Sequence, residues 1–503
     1  MSNAKAMRDI VWIIFLVYLS WVDSLAQQIL WQDVHETNKR EAAGAVAVDA
    51  AGNIIVVGTT IVEENYPANH DDVLVLKYGP DGTLLWSRQI DMTLSDCAYG
   101  VAIDRNGDIV IVGSIYGDST SADIYIAKYT ANGDAIWTRA FTNGAKDDVE
   151  AAYGVAIDSK NDIIVVGKGT PSGRKLPDYV TLKYSPTGDL LWTKYYDGGW
   201  EDCAQAVAVD DSDNIIVTGW SDNSSNRDWC AVKYTSDGDL RWLGRYDKTR
   251  TDRAFGVAID RESNILVVGE THLMYSGSGG SSGMIVKYSS EGDTIWTKIF
   301  TDTQQFAEVS RFVGVQADKY GSIYIAGDYA RWDTSGKLWT DYYVAKCSPN
   351  SDTVWTVRYN ADWKNTASGI AMDANGNIIV TGVTEGNPDD PYQRFDYFTV
   401  KLNNILNGVS ISQPVATGIF LFPNYPNPFN PITHISYAIS NPVKVRITVF
   451  DQLGTEIQTL VDKVQQPGSY VATFDGRGLS SGAYYYRIQA GNFIQTKKMI
   501  LTK

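Results

Sequence analysis

The chain has 503 residues, 44% of them hydrophobic, and a formal net charge of −16 at pH 7. It is longer than one ordinary domain, and its hydrophobic content is normal for a globular protein, which excludes a mainly disordered chain. Lys and Arg are spread along the sequence without a basic patch. Because phosphate binding needs such a patch, the composition excludes nucleic acid as a partner.

Residues 1–26 have the pattern of a secretory signal peptide. Lys5 and Arg8 give a positive start, and residues 10–22 form an apolar run. Ser24 and Ala26 then supply small side chains at the two positions that a signal peptidase reads. The run is shorter than the about 20 residues that span a bilayer, so cleavage is favoured over the alternative, a membrane anchor. The sequence therefore predicts an exported mature chain that starts near residue 27 and has no transmembrane segment.

A repeat of roughly 54 residues follows, and such a period is typical of solenoids and propellers. Its first signature, for example Gly100-Val101-Ala102-Ile103-Asp104, ends in an Asp that recurs at Asp49, Asp104, Asp158, Asp210, Asp260, Asp318 and Asp373. The second signature ends in a Lys: Lys77, Lys128, Lys183, Lys233, Lys287, Lys346 and Lys401. The third carries a Trp: Trp86, Trp137, Trp192, Trp242, Trp296 and Trp355.

Each repeat contains four short runs rich in Val, Ile and Tyr, which are strand formers; we name these strands a, b, c and d. The a–b and c–d connections are tight turns in which Gly takes a positive φ, and Asn161, Asp213 and Ser263 replace that Gly in three a–b turns. Four antiparallel strands per repeat are typical of a propeller blade. The sequence thus predicts an all-β fold with a seven-bladed β-propeller over residues 27–402.

The last blade is predicted to be closed by the mature N-terminus. The seventh repeat has no strand d with a Trp, whereas Ile29-Leu30-Trp31 matches Ala135-Ile136-Trp137. An N-terminal strand in that place would remove exposed sheet edges. We expect the repeated Trp side chains to be buried between blades. We also expect the repeated Asp and Lys to form ion pairs, either within a blade or between blades.

The pattern G-V-A-x-D-x-x-G-N-I-x-V-x-G over residues 43–402 resembles the SBBP-type β-propeller repeat of exported bacterial proteins. The resemblance implies a propeller and an extracytoplasmic location. It does not imply a single ligand.

The repeat stops after Leu402. Residues 403–419 are predicted to be a linker, and residues 420–503 a small Ig-like β-sandwich of about seven short strands. This segment resembles the type A C-terminal sorting domain of the type IX secretion system. The resemblance implies recognition by the outer-membrane secretion machinery, with transport across the periplasm and outer membrane to the medium or the cell surface. The residues that carry it are Asn424, Tyr425, Pro426, Asn427, Pro428, Phe429, Asn430, Pro431, Lys497 and Lys498.

The b–c and d–a loops share one face of the predicted propeller, which we name the loop face. These loops differ from blade to blade, as binding loops on a rigid scaffold do. They carry aromatic and polar side chains that suit a glycan or a surface protein, although such aromatics can also pack their own loops. The predicted ligand-binding residues are Tyr66, His70, Tyr116, Arg174, Trp220, Arg227, His272, Tyr275, Trp332, Trp339, Tyr392 and Arg394.

An acidic residue stands eight positions before the repeat Asp in five repeats, where strand a begins. A ring of carboxylates at the channel mouth would offer oxygen ligands to Ca²⁺, the only cofactor that the sequence suggests. The alternative is that each carboxylate caps backbone N–H groups of its d–a loop. These residues are Glu41, Asp96, Glu150, Asp202 and Asp252.

Signs of catalysis are few. The four His residues lie in scattered contexts without the spacing of a zinc site. The sequence therefore predicts a non-catalytic binding or scaffold protein. A propeller-based polysaccharide lyase or glycoside hydrolase remains the alternative, since acidic residues are abundant and their spacing in a fold cannot be read from the chain.

Overall fold

The structure is a computed structural model. It describes residues 29–35, 39–63, 70–92, 95–116, 122–142, 150–171, 173–223, 226–246, 251–272, 281–300, 307–332, 338–359, 364–385, 395–403, 419–421, 424, 429–439, 442–465, 468–491 and 493–502. The predicted signal peptide and nearly all of the predicted linker lie outside these ranges. The chain forms two compact units, the second of which includes residues 405–503.

The first unit consists of strands that group into four-stranded antiparallel blades, and one parallel bridge between Asp71 and Ser95 also joins the first two blades. The first strand of the chain is β1 (Ile29–His35). Blade 1 follows with β2 (Glu41–Val48), β3 (Ile54–Glu63), β4 (His70–Tyr78) and β5 (Leu84–Ile90). Blade 2 has β6 (Ser95–Ile103), β7 (Ile109–Tyr116), β8 (Ala122–Tyr129) and β9 (Ala135–Phe141). Blade 3 has β10 (Ala151–Ile157), β11 (Ile163–Gly169), β12 (Asp178–Tyr184) and β13 (Leu190–Tyr196).

The remaining blades repeat this order. Blade 4 has β14 (Asp202–Val209), β15 (Ile215–Asp222), β16 (Arg227–Tyr234) and β17 (Leu240–Tyr246). Blade 5 has β18 (Asp252–Ile259), β19 (Ile265–His272), β20 (Ser281–Tyr288) and β21 (Thr294–Phe300). Blade 6 has β22 (Ala307–Ala317), β23 (Ile323–Trp332), β24 (Leu338–Cys347) and β25 (Thr353–Tyr359). Blade 7 has β26 (Asn365–Met372), β27 (Ile378–Glu385), β28 (Phe395–Leu402) and the N-terminal β1. The all-β propeller prediction is confirmed.

The hydrophobic core lies between neighbouring blades. Strands b and c are buried along almost their whole length, which explains their continuous runs of Val, Ile and Leu. One cluster joins Ile55 and Val57 of blade 1 to Ile109 and Ile111 of blade 2. Each such cluster therefore covers the apolar face of one blade with that of the next.

The N-terminal strand closes the ring of blades, as predicted. Strand β1 pairs antiparallel with β28 and sets Trp31 opposite Lys401. It also contacts blade 1, because the Tyr78 hydroxyl donates to Asp33 Oδ2 at 2.7 Å. The residues that begin and end the propeller therefore meet at the junction of blades 7 and 1.

The repeated Asp and Lys pair within a blade, which decides between the two predicted arrangements. Lys128 Nζ lies 2.7 Å from Asp104 Oδ2, and both side chains are buried. The other described pairs of this kind are Lys77–Asp49, Lys183–Asp158, Lys233–Asp210, Lys287–Asp260 and Lys401–Asp373. The same ammonium groups also reach the following blade, for example from Lys233 to the Ser290 carbonyl at 3.1 Å.

The repeated Trp side chains cover the c–d turn of the following blade. Trp137 Nε1 donates to the Pro186 carbonyl at 3.1 Å, and its ring lies against Gly188, which has a φ of +84°. Most of these rings are half-buried between blades, as Trp137 is, whereas Trp355 is 3% exposed. The cause is their place on strand d, the outermost strand, where one ring face meets solvent.

The turn residues adopt the predicted backbone conformation. Asn161, Asp213 and Ser263 have φ values of 66°, 60° and 62°. Within the described ranges, no helix is long and apolar enough to cross a membrane.

The second unit is a small β-sandwich. One sheet has the order β29 (Ile419–Leu421), β30 (Ile432–Ile439), β33 (Gly468–Asp475); the other has β32 (Glu456–Gln465), β31 (Val443–Phe450), β34 (Gly482–Ala490), β35 (Phe493–Leu501). Residues from both sheets, including Ile435 and Tyr486, form one buried core. Phe429 of the predicted sorting motif belongs to this core and is 1% exposed.

Candidate functional site

The central channel of the propeller is lined by strand a of every blade. Each of these strands has a register shift at the same point, such as Ala98/Gly100 in β6 and Ala152/Gly154 in β10. A β-bulge of this kind turns the extra residue away from the ladder. In the described blades the extra residues line the channel; they are Gly44, Tyr99, Tyr153, Gln205, Phe255, Val313 and Ser368.

These residues line a cavity of about 190 Å³. The large side chains come from blades 2 to 5 and the small ones from blades 6, 7 and 1. The rings of Tyr99 and Tyr153 lie side by side, with their centroids 5.3 Å apart and an interplanar angle of 40°. The two rings form the aromatic wall of the cavity, next to Gln205, whose Nε2 donates to Cys203 Sγ at 2.9 Å.

The two tyrosines are neutral hydrogen-bonding groups at physiological pH. Burial raises the pKa of Tyr153, and the neighbouring Cys203 and Tyr99 add to the effect. Burial likewise raises the pKa of Tyr99. Tyr116, a predicted loop-face residue, contributes to both shifts, so it lies near the pair at the end of β7. The Tyr99 hydroxyl is itself engaged with Cys97 and Ser114 of the same blade.

Several predicted ligand-binding residues cannot be placed. Tyr66, Tyr275, Tyr392 and Arg394 lie outside the described residues. For His70 and Trp332 the backbone alone is described, at the start of β4 and the end of β23. His272 and Trp339 are half-buried, and His272 Nδ1 lies 3.2 Å from the Thr251 carbonyl.

Trp220 and Arg227 pack against each other rather than facing solvent. Trp220 is 8% exposed, and the Arg227 guanidinium lies 4.0 Å from the centre of its ring. Arg227 also pairs with Asp222 at 3.1 Å and Glu201 at 3.6 Å. Trp220 is therefore not an exposed stacking surface, because it lies within β15, opposite Trp229 of β16, and the Arg227 guanidinium covers its ring.

The acidic residues at the start of strand a do not form a ring around the channel mouth. Glu41, Asp96, Glu150, Asp202 and Asp252 are at most 2% exposed, and none lines the channel cavity. Two of them cap their d–a loops, as the alternative predicted: Asp96 accepts from the Met92 amide at 2.7 Å, and Asp202 from the Gly198 amide at 2.6 Å.

A second set of acids, at the start of strand c, faces the first set. Sequence reasoning missed it, although an Asp stands five positions before the repeat Lys in six repeats: Asp72, Asp123, Asp178, Asp228, Asp341 and Asp396. Backbone hydrogen bonds bring the start of strand a close to strand c of the preceding blade, as from the Asp202 amide to the Pro177 carbonyl at 2.8 Å. Two clusters result, Asp72–Asp91–Asp96 and Asp178–Asp197–Asp202, each with ligand oxygens within 4.8 Å of one another.

In the second cluster, burial disfavours the ionised forms of Asp178 and Asp202. Burial raises the pKa of Asp178 to about 7; Arg174 opposes this shift, and Asp197 and Asp202 add to it. Burial also raises the pKa of Asp202, against the hydrogen bonds from Ser221 and Gly198. Arg174, predicted to bind a ligand, is instead engaged here with both oxygens of Asp197. Its guanidinium is thus already paired with a carboxylate, although its side chain is 33% exposed.

The sorting motif is only partly described. Asn424 is buried and donates to Thr433 Oγ1 at 3.0 Å, while Tyr425, Pro426, Asn427 and Pro428 lie outside the described residues. Phe429, Asn430 and Pro431 lead into β30, and the Phe429 amide donates to the Ile500 carbonyl at 2.8 Å. Lys497 and Lys498 lie on β35, half-buried and exposed. The two ends of the predicted motif thus meet in the sandwich.

A propeller with a narrow channel, joined to a β-sandwich that carries an export motif, defines an exported β-propeller protein. Residues 424–502 match the family described as secretion system C-terminal sorting domain. This domain directs export through the type IX secretion system to the cell surface or the medium, and its partner is the secretion machinery.

The other comparisons are distant. An uncharacterized WD repeat-containing protein, L264, of Acanthamoeba polyphaga mimivirus is 25% identical over 214 residues, which is 34% of this chain and 15% of that protein. The structure of PorZ, a surface component of the type IX secretion system of Porphyromonas gingivalis, has a TM-score of 0.41 at 11% identity and covers 89% of this chain and 58% of that one. A puromycin hydrolase structure has a TM-score of 0.46 at 11% identity, covering 80% and 59%.

Proposed function

We propose that the protein is a cell-surface binding protein whose propeller holds a neutral glycan at the loop-face end of its central channel. The observation that carries this proposal is the aromatic wall formed by Tyr99 and Tyr153 beside the cavity of about 190 Å³. Aromatic faces with nearby hydroxyl and amide groups are the combination that binds the apolar face and the hydroxyls of a sugar ring.

The lining of the cavity supports a neutral ligand. In the described structure, the lining residues include no Asp, Glu, His, Lys or Arg. An anionic sugar would need a basic partner to offset the loss of its hydration, and the chain as a whole carries a charge of −16. A neutral sugar needs hydrogen-bond partners alone. Tyr153 and Ser368 offer them, and so does the side-chain oxygen of Gln205, since its Nε2 donates to Cys203 Sγ.

The size of the cavity limits the ligand. Pockets for drug-sized molecules begin at about 300 Å³, so this cavity suits one sugar unit or the end of a glycan chain. A protein ligand would have to insert a single side chain here and make its other contacts on the loop face. The cavity therefore favours a glycan over a protein.

The lyase or hydrolase alternative requires an accessible acid and base. In the cluster of Asp178, Asp197 and Asp202, two of the three carboxylates are buried, so a substrate would meet Asp197 alone. The channel cavity, in its described part, offers no carboxylate. Binding without bond cleavage is thus the function that this geometry supports best.

The test is a glycan-binding assay on the full mature chain, with released sugars measured in parallel. We expect binding to neutral glycans without product, and weaker binding by the Tyr153→Ala and Tyr99→Ala variants. The matched control is Tyr320→Ala, since Tyr320 is 61% exposed on an a–b turn at the opposite face. Product release, or equal loss of binding in Tyr320→Ala, would overturn the proposal. Melting temperatures of all variants show whether a loss of binding reflects unfolding.

A further inference from the structure

The junction of blades 3 and 4 holds three carboxylates from three different segments. Asp178 begins β12, Asp197 follows β13, and Asp202 begins β14, with ligand oxygens within 4.8 Å of one another. Asp178 and Asp202 are 1% and 0% exposed, whereas the Asp197 side chain is 46% exposed. The cluster is thus deep between the blades but open to solvent on one side.

Two buried oxygens of this cluster have no hydrogen-bond partner. They are Oδ1 of Asp178 and Oδ1 of Asp202. The second oxygens are engaged: Asp202 Oδ2 accepts from the Gly198 amide, and Asp178 Oδ2 lies 3.4 Å from the Arg174 guanidinium. Buried polar atoms in proteins are nearly always satisfied, so two such oxygens in one cluster point to a missing positive group.

Arg174 does not supply enough charge. It pairs with both oxygens of Asp197 and reaches Asp178 from one side. Arg245 also favours the charged form of Asp202, although its hydrogen bonds go to Tyr196 and Ser221. Two guanidinium groups against three ionised carboxylates leave a net charge of −1. A divalent cation at the unsatisfied oxygens would offset that charge.

We propose that a calcium ion binds at the junction of blades 3 and 4, with Asp178, Asp197 and Asp202 as its carboxylate ligands. Calcium takes oxygen ligands at about 2.3–2.6 Å, so two ligands on opposite sides of the ion lie about 4.8 Å apart. The three carboxylates already lie within that distance. Calcium also tolerates irregular geometry, whereas magnesium demands a near-octahedral site with shorter bonds.

One other blade junction carries the same three carboxylates. Asp72, Asp91 and Asp96 occupy the same three positions between blades 1 and 2, again within 4.8 Å. Between blades 5 and 6, the positions of Asp178 and Asp202 are both taken by serines, Ser282 and Ser310. Between blades 6 and 7, only the second position changes, since Asp341 is kept and Asn365 replaces the other acid. Among the described residues, the complete set of three acids therefore occurs at two junctions.

The experiment uses the full mature chain, stripped with EDTA and titrated with calcium chloride in a calorimeter, with magnesium chloride for comparison. The principal variant is Asp202→Asn, which keeps the shape of the side chain but removes its charge. The matched control is Asp237→Asn, because Asp237 is an exposed acid on the c–d turn of the same blade. We expect Asp202→Asn to bind one calcium ion fewer than the wild type, and Asp237→Asn to bind the same number.

A bound calcium ion and a proton shared between carboxylates would both reduce the repulsion in this cluster. Thermal unfolding with and without calcium distinguishes the two. With about 1 mM calcium, a range typical of extracellular modules, the wild type should melt higher than Asp202→Asn. In EDTA the order should reverse, because the substitution relieves repulsion between carboxylates. If Asp202→Asn fails to fold, the exposed Asp197→Asn replaces it, and weaker calcium binding is expected. A wild type without binding heat or calcium-dependent melting would overturn the proposal, as would an unchanged ion count in Asp202→Asn.

Discussion

The side-chain nitrogen of Lys401 donates a hydrogen bond to the backbone carbonyl of Pro80 at 3.0 Å, although 321 positions separate the two residues. Trp31 Nε1 donates to the same carbonyl at 3.1 Å. This carbonyl, in the c–d turn of blade 1, thus accepts hydrogen bonds from the repeat Lys of blade 7 and from the Trp of the N-terminal strand. The contact between neighbouring blades that recurs along the chain is also the contact that closes the ring.

Deletion of Ile29–His35 should therefore lower the stability of the whole propeller. The deletion exposes the edge of β28 and removes Trp31 from Tyr78 and from the turn at Gly82. Thermal unfolding of the full mature chain, followed by near-ultraviolet circular dichroism, measures the effect. The control is Leu30→Ala, since Leu30 lies on the same strand but is 48% exposed. An unchanged melting temperature after the deletion would show that ring closure does not depend on β1.

Gly188→Ala should cost more stability than Gly107→Ala. Both glycines have a positive φ, 84° and 83°, so each substitution carries the same backbone strain of about 1–2 kcal/mol. A Cβ on Gly188 would also lie 2.9 Å from the Trp137 ring, whereas a Cβ on Gly107 meets nothing within 4 Å. The difference between the two free energies of unfolding, measured with urea, reports the packing of Trp on the turn. Equal values would mean that Trp137 does not hold the turn.

The Asp–Lys pairs should make stability fall in acid. Burial opposes the charged form of Asp210, but hydrogen bonds from Asn214 and Lys233 outweigh it and lower the pKa of this carboxyl. The pKa values of Asp49, Asp260 and Asp373 are lowered in the same way. A lowered pKa in the folded state stabilises the fold above the ordinary value of 3.8, and this contribution is lost as the pH falls through the folded value.

Asp210→Asn tests this linkage. The substitution leaves the Lys233 ammonium without its carboxylate, at a cost of about 3 kcal/mol at pH 7, and it should flatten the acid slope of the unfolding free energy. Asp211→Asn is the matched control, because Asp211 is the exposed neighbour in the same turn. Urea unfolding between pH 3 and pH 7 gives both quantities. Parallel pH profiles for the wild type and Asp210→Asn would contradict the role of the pair.

The repeat made the fold readable from the sequence. The order of strands recurs in every repeat, and so do the turn glycines and the positions of Trp, Asp and Lys. The same interpretation therefore applies to each repeat. The closing strand was also predictable, because Trp31 fills the one place that lacked a Trp. Whether Asp104 pairs with Lys128 of its own blade or with the next blade depends on the register of strands a to c, which spacing alone does not fix.

The candidate cavity was not predictable in the same way. Its lining depends on which residue the bulge of strand a turns toward the channel, and that residue differs in every blade, from Gly44 to Tyr153. A search for residue types that recur in every repeat does not find the bulge position, because a different residue type occupies it in almost every blade. Asp178 and its counterparts, by contrast, recur at a fixed distance before the repeat Lys and could have been found. Trp220 was assigned to a loop because the sequence does not show whether an aromatic residue near a turn belongs to the loop or to the end of the strand.

Filling the small side of the channel should block ligand binding without harming the fold. Ser368 lies opposite the aromatic wall and is half-buried, so Ser368→Phe has free space to occupy. We expect loss of glycan binding and a melting temperature close to that of the wild type. Retained binding would place the ligand on the loop face outside the cavity.

Phe429→Ala should unfold the sorting domain and thereby stop export. The Phe429 ring is 1% exposed in the core of the sandwich, and its backbone bonds to the last strand through the Ile500 carbonyl and the Thr502 amide. Removing a buried Phe costs about 3–5 kcal/mol, a large part of the stability of so small a domain. The measurement is the distribution of the full chain between periplasm, cell surface and medium in a strain with the type IX system. Leu453→Ala is the control, because Leu453 is 91% exposed in the same domain. Normal export of Phe429→Ala would mean that the secretion machinery reads the motif as an unfolded peptide, whereas retention of this variant alone would mean that it reads the folded sandwich.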